Sequence, residues 1–177
     1  MAAAPPPDLG PHTSHTGHLL LAAAFIAVSL GVVAAVEAYQ VRRREGRPTP
    51  PVAAITIVVA GAASAAIHAA VLPSHWRESV LYGVFFLGAA VAQLGLSVLV
   101  LLTPARHWLQ LNALVNIGLL GVWLQSRTVG LPIGPIRGAQ QVGVLDVVSS
   151  ACELLVVLGV VSMVRNRHPR RVLAAAV

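Results

Sequence analysis

The residues best suited to chemistry fall in three short strings: HAAVLPSHWRE (68–78), SRTVGLPIGP (126–135) and VGVLDVVSSACEL (142–154). They supply His68, His75, Glu78, Arg127, Asp146 and Glu153. Imidazole and carboxylate are the usual zinc ligands, and imidazole also suits copper. His68, His75, Glu78, Asp146 and Glu153 are therefore a chemically sensible metal set, with zinc or copper as the expected ion, although their spacing matches no named metal motif. The same groups suit proton chemistry, because histidine titrates near neutral pH. A carboxyl as deep in an apolar run as Glu153 must be either protonated or paired, with His68 or Arg127 as the available partners. Three further histidines, His12, His15 and His18, stand three residues apart in HTSHTGH; this spacing is read as coincidence. No Walker, Rossmann, HExxH or CxxC pattern is present, and the single cysteine, Cys152, excludes an internal disulfide.

These groups are embedded in apolar sequence. The chain is 56% hydrophobic and 10% charged, where a soluble domain carries about 25% charged residues. Its apolar residues form runs long enough for a bilayer, which takes ~20 residues per helix. Five such segments are predicted, at about 18–40, 52–72, 79–102, 107–125 and 142–164. The expected fold is all-α: a polytopic membrane protein with a four-helix core from segments two to five and segment one packed outside it. Residues 1–17, rich in Ala, Pro, Thr and His, cannot build a core and are predicted to be a disordered tail. Residues 166–177 form a basic tail.

All twelve basic residues other than histidine are arginine, and they set the expected orientation. Arg42, Arg43, Arg44, Arg47, Arg106, Arg165, Arg167, Arg170 and Arg171 share one face; Arg77, Arg127 and Arg137 share the other. The first face is assigned to the cytoplasm, which puts the N-terminus outside and the C-terminus inside. Basic charge at helix ends marks topology and not nucleic-acid binding. No basic residue precedes the first apolar segment, so segment one is read as a retained anchor and not a cleaved leader. The bilayer is the expected partner, with self-association into a homo-oligomer left open.

Helical spacing then places the polar residues on faces. Segment two aligns Gly61, Ala65, His68 and Leu72. Segment three aligns Tyr82, Phe86, Gln93 and Ser97. Segment four aligns Asn112, Asn116, Trp123 and Arg127, and segment five Asp146, Ser149 or Ser150, and Glu153. At 1.5 Å per residue, Glu153 and Asn116 lie roughly 15 Å below the outer surface. Segments two to five are thus expected to surround an outward-opening polar cavity lined by His68, His75, Glu78, Gln93, Asn116, Arg127, Asp146 and Glu153. The simpler reading of Gln93, Asn112 and Asn116 is hydrogen-bond glue between helices. The loop 126–135, with Gly130, Pro132, Gly134 and Pro135, reads as an ordered turn that caps the cavity and sets Arg127 over it, to hold an anionic group or to pair with Asp146.

Together with GVFFLGAAVAQL (83–94), the three strings resemble a group of small integral membrane proteins of high-GC Gram-positive bacteria. The likeness covers about residues 50 to 160. It implies a plasma-membrane location and carries no catalytic residue or cofactor. A looser, architectural similarity is to five-helix sterol-isomerase-like membrane proteins, which also place His and Glu in a bundle cavity. The functions left open are a metal-binding cavity, an intramembrane acid–base enzyme acting on a lipidic substrate, a small transporter and a structural or accessory subunit.

Overall fold

The computed structural model describes residues 33, 36–37, 39–46, 51–134 and 138–166. Four helices dominate: α1 (Val52–Glu78), α2 (Val80–Leu102), α3 (Arg106–Thr128) and α4 (Val144–Arg165). They are the predicted segments two to five. Most of segment one, the tail histidines, Arg137 and nearly all of the C-terminal tail lie outside the described residues. Those of segment one that are described, Val33, Val36, Glu37, Tyr39 and Gln40, are helical, and the helix continues through Arg44.

The described structure is all-helical, and α1, α2 and α4 are each long and apolar enough to cross a membrane. Even α4, with 22 residues, spans about 33 Å at 1.5 Å per residue. Helix α3 has 23 residues but carries Arg106, His107, Asn112, Asn116 and Arg127, and does not reach that apolarity. The surface is apolar: Val91, Leu114 and Leu158 are all more than half exposed. The fully buried side chains, by contrast, include Ser64, Gln93, Asn112 and Asn116. Apolar side chains outside and polar ones inside make this an integral membrane protein.

The helices pack in a ring, α1 against α2 and α4, and α3 against α2 and α4. Cross-helix pairs give the directions. Along α1 and α2, Trp76 meets Gly83, Ser64 meets Gln93 and Gly61 meets Ser97, so the two run antiparallel. Arg127 meets Asp146 between α3 and α4, and Ile57 meets Gly159 between α1 and α4. The result is an up-down-up-down bundle. One half holds an apolar core of Ile57, Val100, Leu109, Val156, Val160 and Met163. The other half holds the ionisable groups His68, His75, Glu78, Arg127, Asp146 and Glu153.

Helix α1 differs from the sequence expectation. The reading ended this segment near Leu72, but the helix continues through Pro73 to Glu78. Proline removes one backbone donor, the one that would bond the Ala69 carbonyl, and the helix runs on past this single lost bond; in the same turn Ser74 Oγ donates to the Val71 carbonyl (2.7 Å) and Arg77 Nε to that of Pro73 (3.1 Å). Proline is tolerated inside membrane helices. The consequence is that His75 and Glu78 sit on a helix and not on a loop. Ser79, in extended conformation, then caps α2 by accepting from the Leu81 N–H at 3.2 Å.

Two glycines permit the close approach of α1 and α2. A Cβ at Gly61 would collide with Ser97 Oγ, and one at Gly83 with the Trp76 ring. Gly61→Leu should therefore overpack the interface and cost about 1–3 kcal/mol, seen as a lower unfolding midpoint in mild detergent. Gly88 faces open space, and Gly88→Ala should leave the midpoint unchanged or raise it. Equal loss from both changes would contradict the close packing.

Candidate functional site

A belt of hydrogen bonds crosses the middle of the bundle. Gln93 Nε2 has two protons and uses both, donating to Ser64 Oγ at 3.0 Å and to Asn116 Oδ1 at 3.1 Å. Asn116 Nδ2 donates within α3 to the Asn112 backbone carbonyl (2.8 Å) and to Asn112 Oδ1 (2.9 Å). Ser64 Oγ and Ser149 Oγ lie 2.8 Å apart, and each is 3.4 Å from Glu153 Oε1. Each hydroxyl has one proton. Whichever serine donates to the other, the remaining proton points to Glu153. Glu153 is thus the terminal acceptor of a chain that starts at Gln93, and all four helices contribute to the belt.

Above this belt lies a pocket of about 240 Å³. Glu153 and His68 form its floor. Tyr82, Phe85 and Phe86 of α2 face Leu119, Val122 and Trp123 of α3 across it. Phe86 is held between two imidazoles, stacked on His75 (centroids 4.2 Å apart, 9° between planes) and edge-on to His68 (5.5 Å, 74°). Residues 126–131 and 138–140 contribute its upper lining through Ser126, Arg127, Leu131, Gly138 and Gln140. Gly130, Gly134 and Gly138 all have positive φ, the left-handed region that glycine enters freely. Gly134 packs against the Tyr82 hydroxyl, which donates to the Ile133 carbonyl at 3.4 Å. The Gln140 N–H donates to the Ser126 carbonyl at 2.9 Å, tying the loop to the end of α3.

Of the residues singled out by sequence, His68, His75, Glu78, Arg127, Asp146 and Glu153 all line this pocket. Gln93 and Asn116 do not; both are completely buried in the belt beneath it, in the role of interhelical glue. The charged groups are already paired. Arg127 Nη2 is 2.7 Å from Asp146 Oδ2, which also accepts from the Gly143 N–H at 2.8 Å and, as an acid in the first turn of α4, is favoured by the helix dipole. His75 Nδ1 is 3.0 Å from Glu78 Oε2.

His68 is the exception. Its Nε2 lies 3.3 Å from Glu153 Oε1, but the two are not aligned for a hydrogen bond, and neither ring nitrogen has a hydrogen-bond partner. The residue is nevertheless only 7% exposed, and its side chain 9%. Trp123 Nε1 is likewise buried without a partner.

The expected metal set is corrected by this arrangement. Among the described residues no three His, Cys, Asp or Glu side chains converge to hold an ion. His75 and Glu78 pair one helical turn apart, Arg127 takes Asp146, and Glu153 faces the serines and His68. A zinc site needs three or four ligands at about 2.0–2.3 Å from one point, and these five side chains are distributed among three separate partnerships.

Sequence reasoning did not single out Ser64, the group on which the belt converges. Its position was a usable signal: three residues after Gly61 and four before His68, it shares their face. Comparison with protein-family models, with curated proteins and with solved structures finds no match to this chain.

Removing the shared hydroxyl tests the belt. Ser64→Ala should cost about 1–3 kcal/mol, because Gln93 Nε2, Ser149 and Glu153 all lose a partner in a dry interior. The double variant with Gln93→Leu should cost clearly less than the sum of the single changes, whereas groups that do not interact give additive losses within about 0.5 kcal/mol. Detergent unfolding midpoints of the four proteins decide between these outcomes.

Proposed function

We propose that this chain is a multi-pass plasma-membrane protein of five spans, with its N-terminus outside and its C-terminus in the cytoplasm, that binds a small amphipathic molecule in a pocket opening to the outer side. The observation that carries this reading is the unpartnered, buried His68 at the floor of an aromatic-walled pocket. Burying an imidazole with neither nitrogen bonded costs stability, and a ligand with a polar group at that end offsets the cost. The volume, below the about 300–1,000 Å³ of drug-sized sites, matches a small ligand. The orientation rests on the arginine distribution: Arg42, Arg43, Arg44, Arg106 and Arg165 belong to helix ends remote from the pocket.

Passage through the protein is a weaker reading. Beneath Glu153 the bundle is filled by Ile57, Val100, Leu109 and Val156, each no more than 1% exposed, and no polar path continues among the described residues there. Acid–base chemistry on a bound lipidic substrate is the second reading, favoured by the 3.3 Å approach of His68 Nε2 to Glu153 Oε1 at the pocket floor.

The orientation and the opening are tested together by cysteine labelling. Cys152 is the only native thiol, so Cys152→Ser gives a clean background. Ala139→Cys, in the covering loop, and Ser150→Cys, in the pocket wall, should react with a membrane-impermeant thiosulfonate reagent added to intact cells. Thr103→Cys, at the opposite end, should react only after lysis. The reverse pattern would overturn the proposed orientation, and an unreactive Ser150→Cys beside a reactive Ala139→Cys would show a pocket closed to the outside.

A further inference from the structure

The charge of the pocket runs against the charge of the chain. The protein carries twelve arginines and six acids. Three of those six acids, Glu78, Asp146 and Glu153, line this one pocket, with Arg127 as the sole arginine among its described lining residues. Arg127 is neutralised by Asp146 at 2.7 Å. Among the described residues, the two carboxyls that remain each have only an imidazole as an ion-pair neighbour, His75 for Glu78 at 3.0 Å and His68 for Glu153 at 3.3 Å. An imidazole does not cancel a carboxylate unless it holds a proton. Glu78 stands exposed at the mouth, but Glu153 is buried, and in a low-dielectric interior a carboxylate attracts a positive group far more strongly than it would in water.

The walls carry the same preference. Tyr82, Phe85, Phe86 and Trp123 surround the space, and the faces of aromatic rings attract cations, most strongly once both are desolvated. His68 is the independent sign of a missing partner. It is 7% exposed, it lines the pocket, and neither ring nitrogen is hydrogen-bonded. A neutral imidazole presents one lone pair to a donor, and Glu153 beside it, in its ionised form, presents acceptor oxygens only. A ligand group bearing several N–H donors and a positive charge satisfies both at once. An anion would meet Glu78 and Glu153, and a purely apolar molecule would leave His68 unpaired.

Building on the proposed ligand pocket, we infer that its occupant is an organic cation: a protonated amine on a small aromatic or apolar body, with the ammonium directed to Glu153 and His68 and the body against Phe86 and Trp123. Arg127 and Asp146 then form a neutral clasp at the mouth that excludes neither the amine nor its entry.

Three probes of nearly one shape separate charge from mere fit: phenethylamine, 2-phenylethanol and 3-phenylpropanoate. Their binding to the full chain in nanodiscs is measured by calorimetry at pH 7, with empty nanodiscs subtracted to remove partition into lipid. Phenethylamine should bind at least tenfold more tightly than 2-phenylethanol, and 3-phenylpropanoate should not bind. Glu153→Gln, nearly isosteric, should reduce the preference for phenethylamine over 2-phenylethanol to less than threefold while leaving 2-phenylethanol binding intact. Equal binding of the amine and the alcohol by the unaltered protein would overturn the cation assignment and leave the pocket standing. Binding of none of the three would overturn the ligand pocket itself. The comparison among probes uses the native chain, so it stands even if Glu153→Gln fails to fold.

Discussion

Inside a bilayer, helices gain nothing by hiding apolar side chains from one another, because lipid is as apolar as leucine. What holds this bundle in one arrangement is the need of its buried polar side chains to find partners. Gln93 meets that need from the centre. One amide nitrogen joins α2 to Ser64 on α1 and to Asn116 on α3, and Ser64 passes the chain to Ser149 and Glu153 on α4. Each such bond is worth only about 0.6 kcal/mol on average between membrane helices. Their effect is greater on specificity than on depth of stability. Rotating any one helix would leave several amides and hydroxyls unpaired in a dry interior, where each costs more than a bond gains.

The belt depends on how near the backbones come. Gly61 precedes Ser64 by one turn, and Ser97 follows Gln93 by one turn. The contact of Gly61 with Ser97 Oγ therefore sets the spacing at which Ser64 and Gln93 can bond. Gly159 plays the same part between α4 and α1, where a Cβ would come 2.8 Å from Ile57 Cγ1. Local sequence, close packing and the hydrogen-bond network are one device here. Small residues one turn away from each polar residue bring the polar residues within reach.

This explains what could be read from sequence and what could not. Gln93, Asn112, Asn116 and Glu153 stand out because amides and acids are rare in apolar runs, and all four are buried as their helical faces require. The ends of α2, α3 and α4 fall within three residues of where apolar runs break. Ser64 was lost because a serine in an alanine-rich run looks like another small packing residue; only its register with His68 distinguishes it. The far end of α1 lies six residues beyond the expected boundary, because the apolar run breaks at Pro73 while the helix continues through it to Glu78. The metal set failed for a different reason. Sequence spacing shows which residues share a helix face, but not which competitor on a neighbouring helix reaches them first. Arg127 claims Asp146 across the α3–α4 interface, and Glu78 finds His75 on its own helix.

The same pairings give the pocket its character. A network that fully satisfied its members would be a structural core, and the belt beneath Glu153 comes close to this, with Gln93 Oε1, Ser97 Oγ and Asn112 Nδ2 as its open atoms. The pocket end is built differently. Its acids lie on α1 and α4, its aromatic side chains on α2 and α3, and an imidazole with two unbonded nitrogens stands at the junction. Gly83 admits the Trp76 ring, which seats α2 close to α1 below the glycine-rich cover and leaves the α2–α3 side as the wall lined by Phe85, Phe86, Val122 and Trp123. A bundle needing only to be stable would fill that space with leucine. Stability forgone at one end, next to a belt that secures the other, is what distinguishes a binding site from a packing defect.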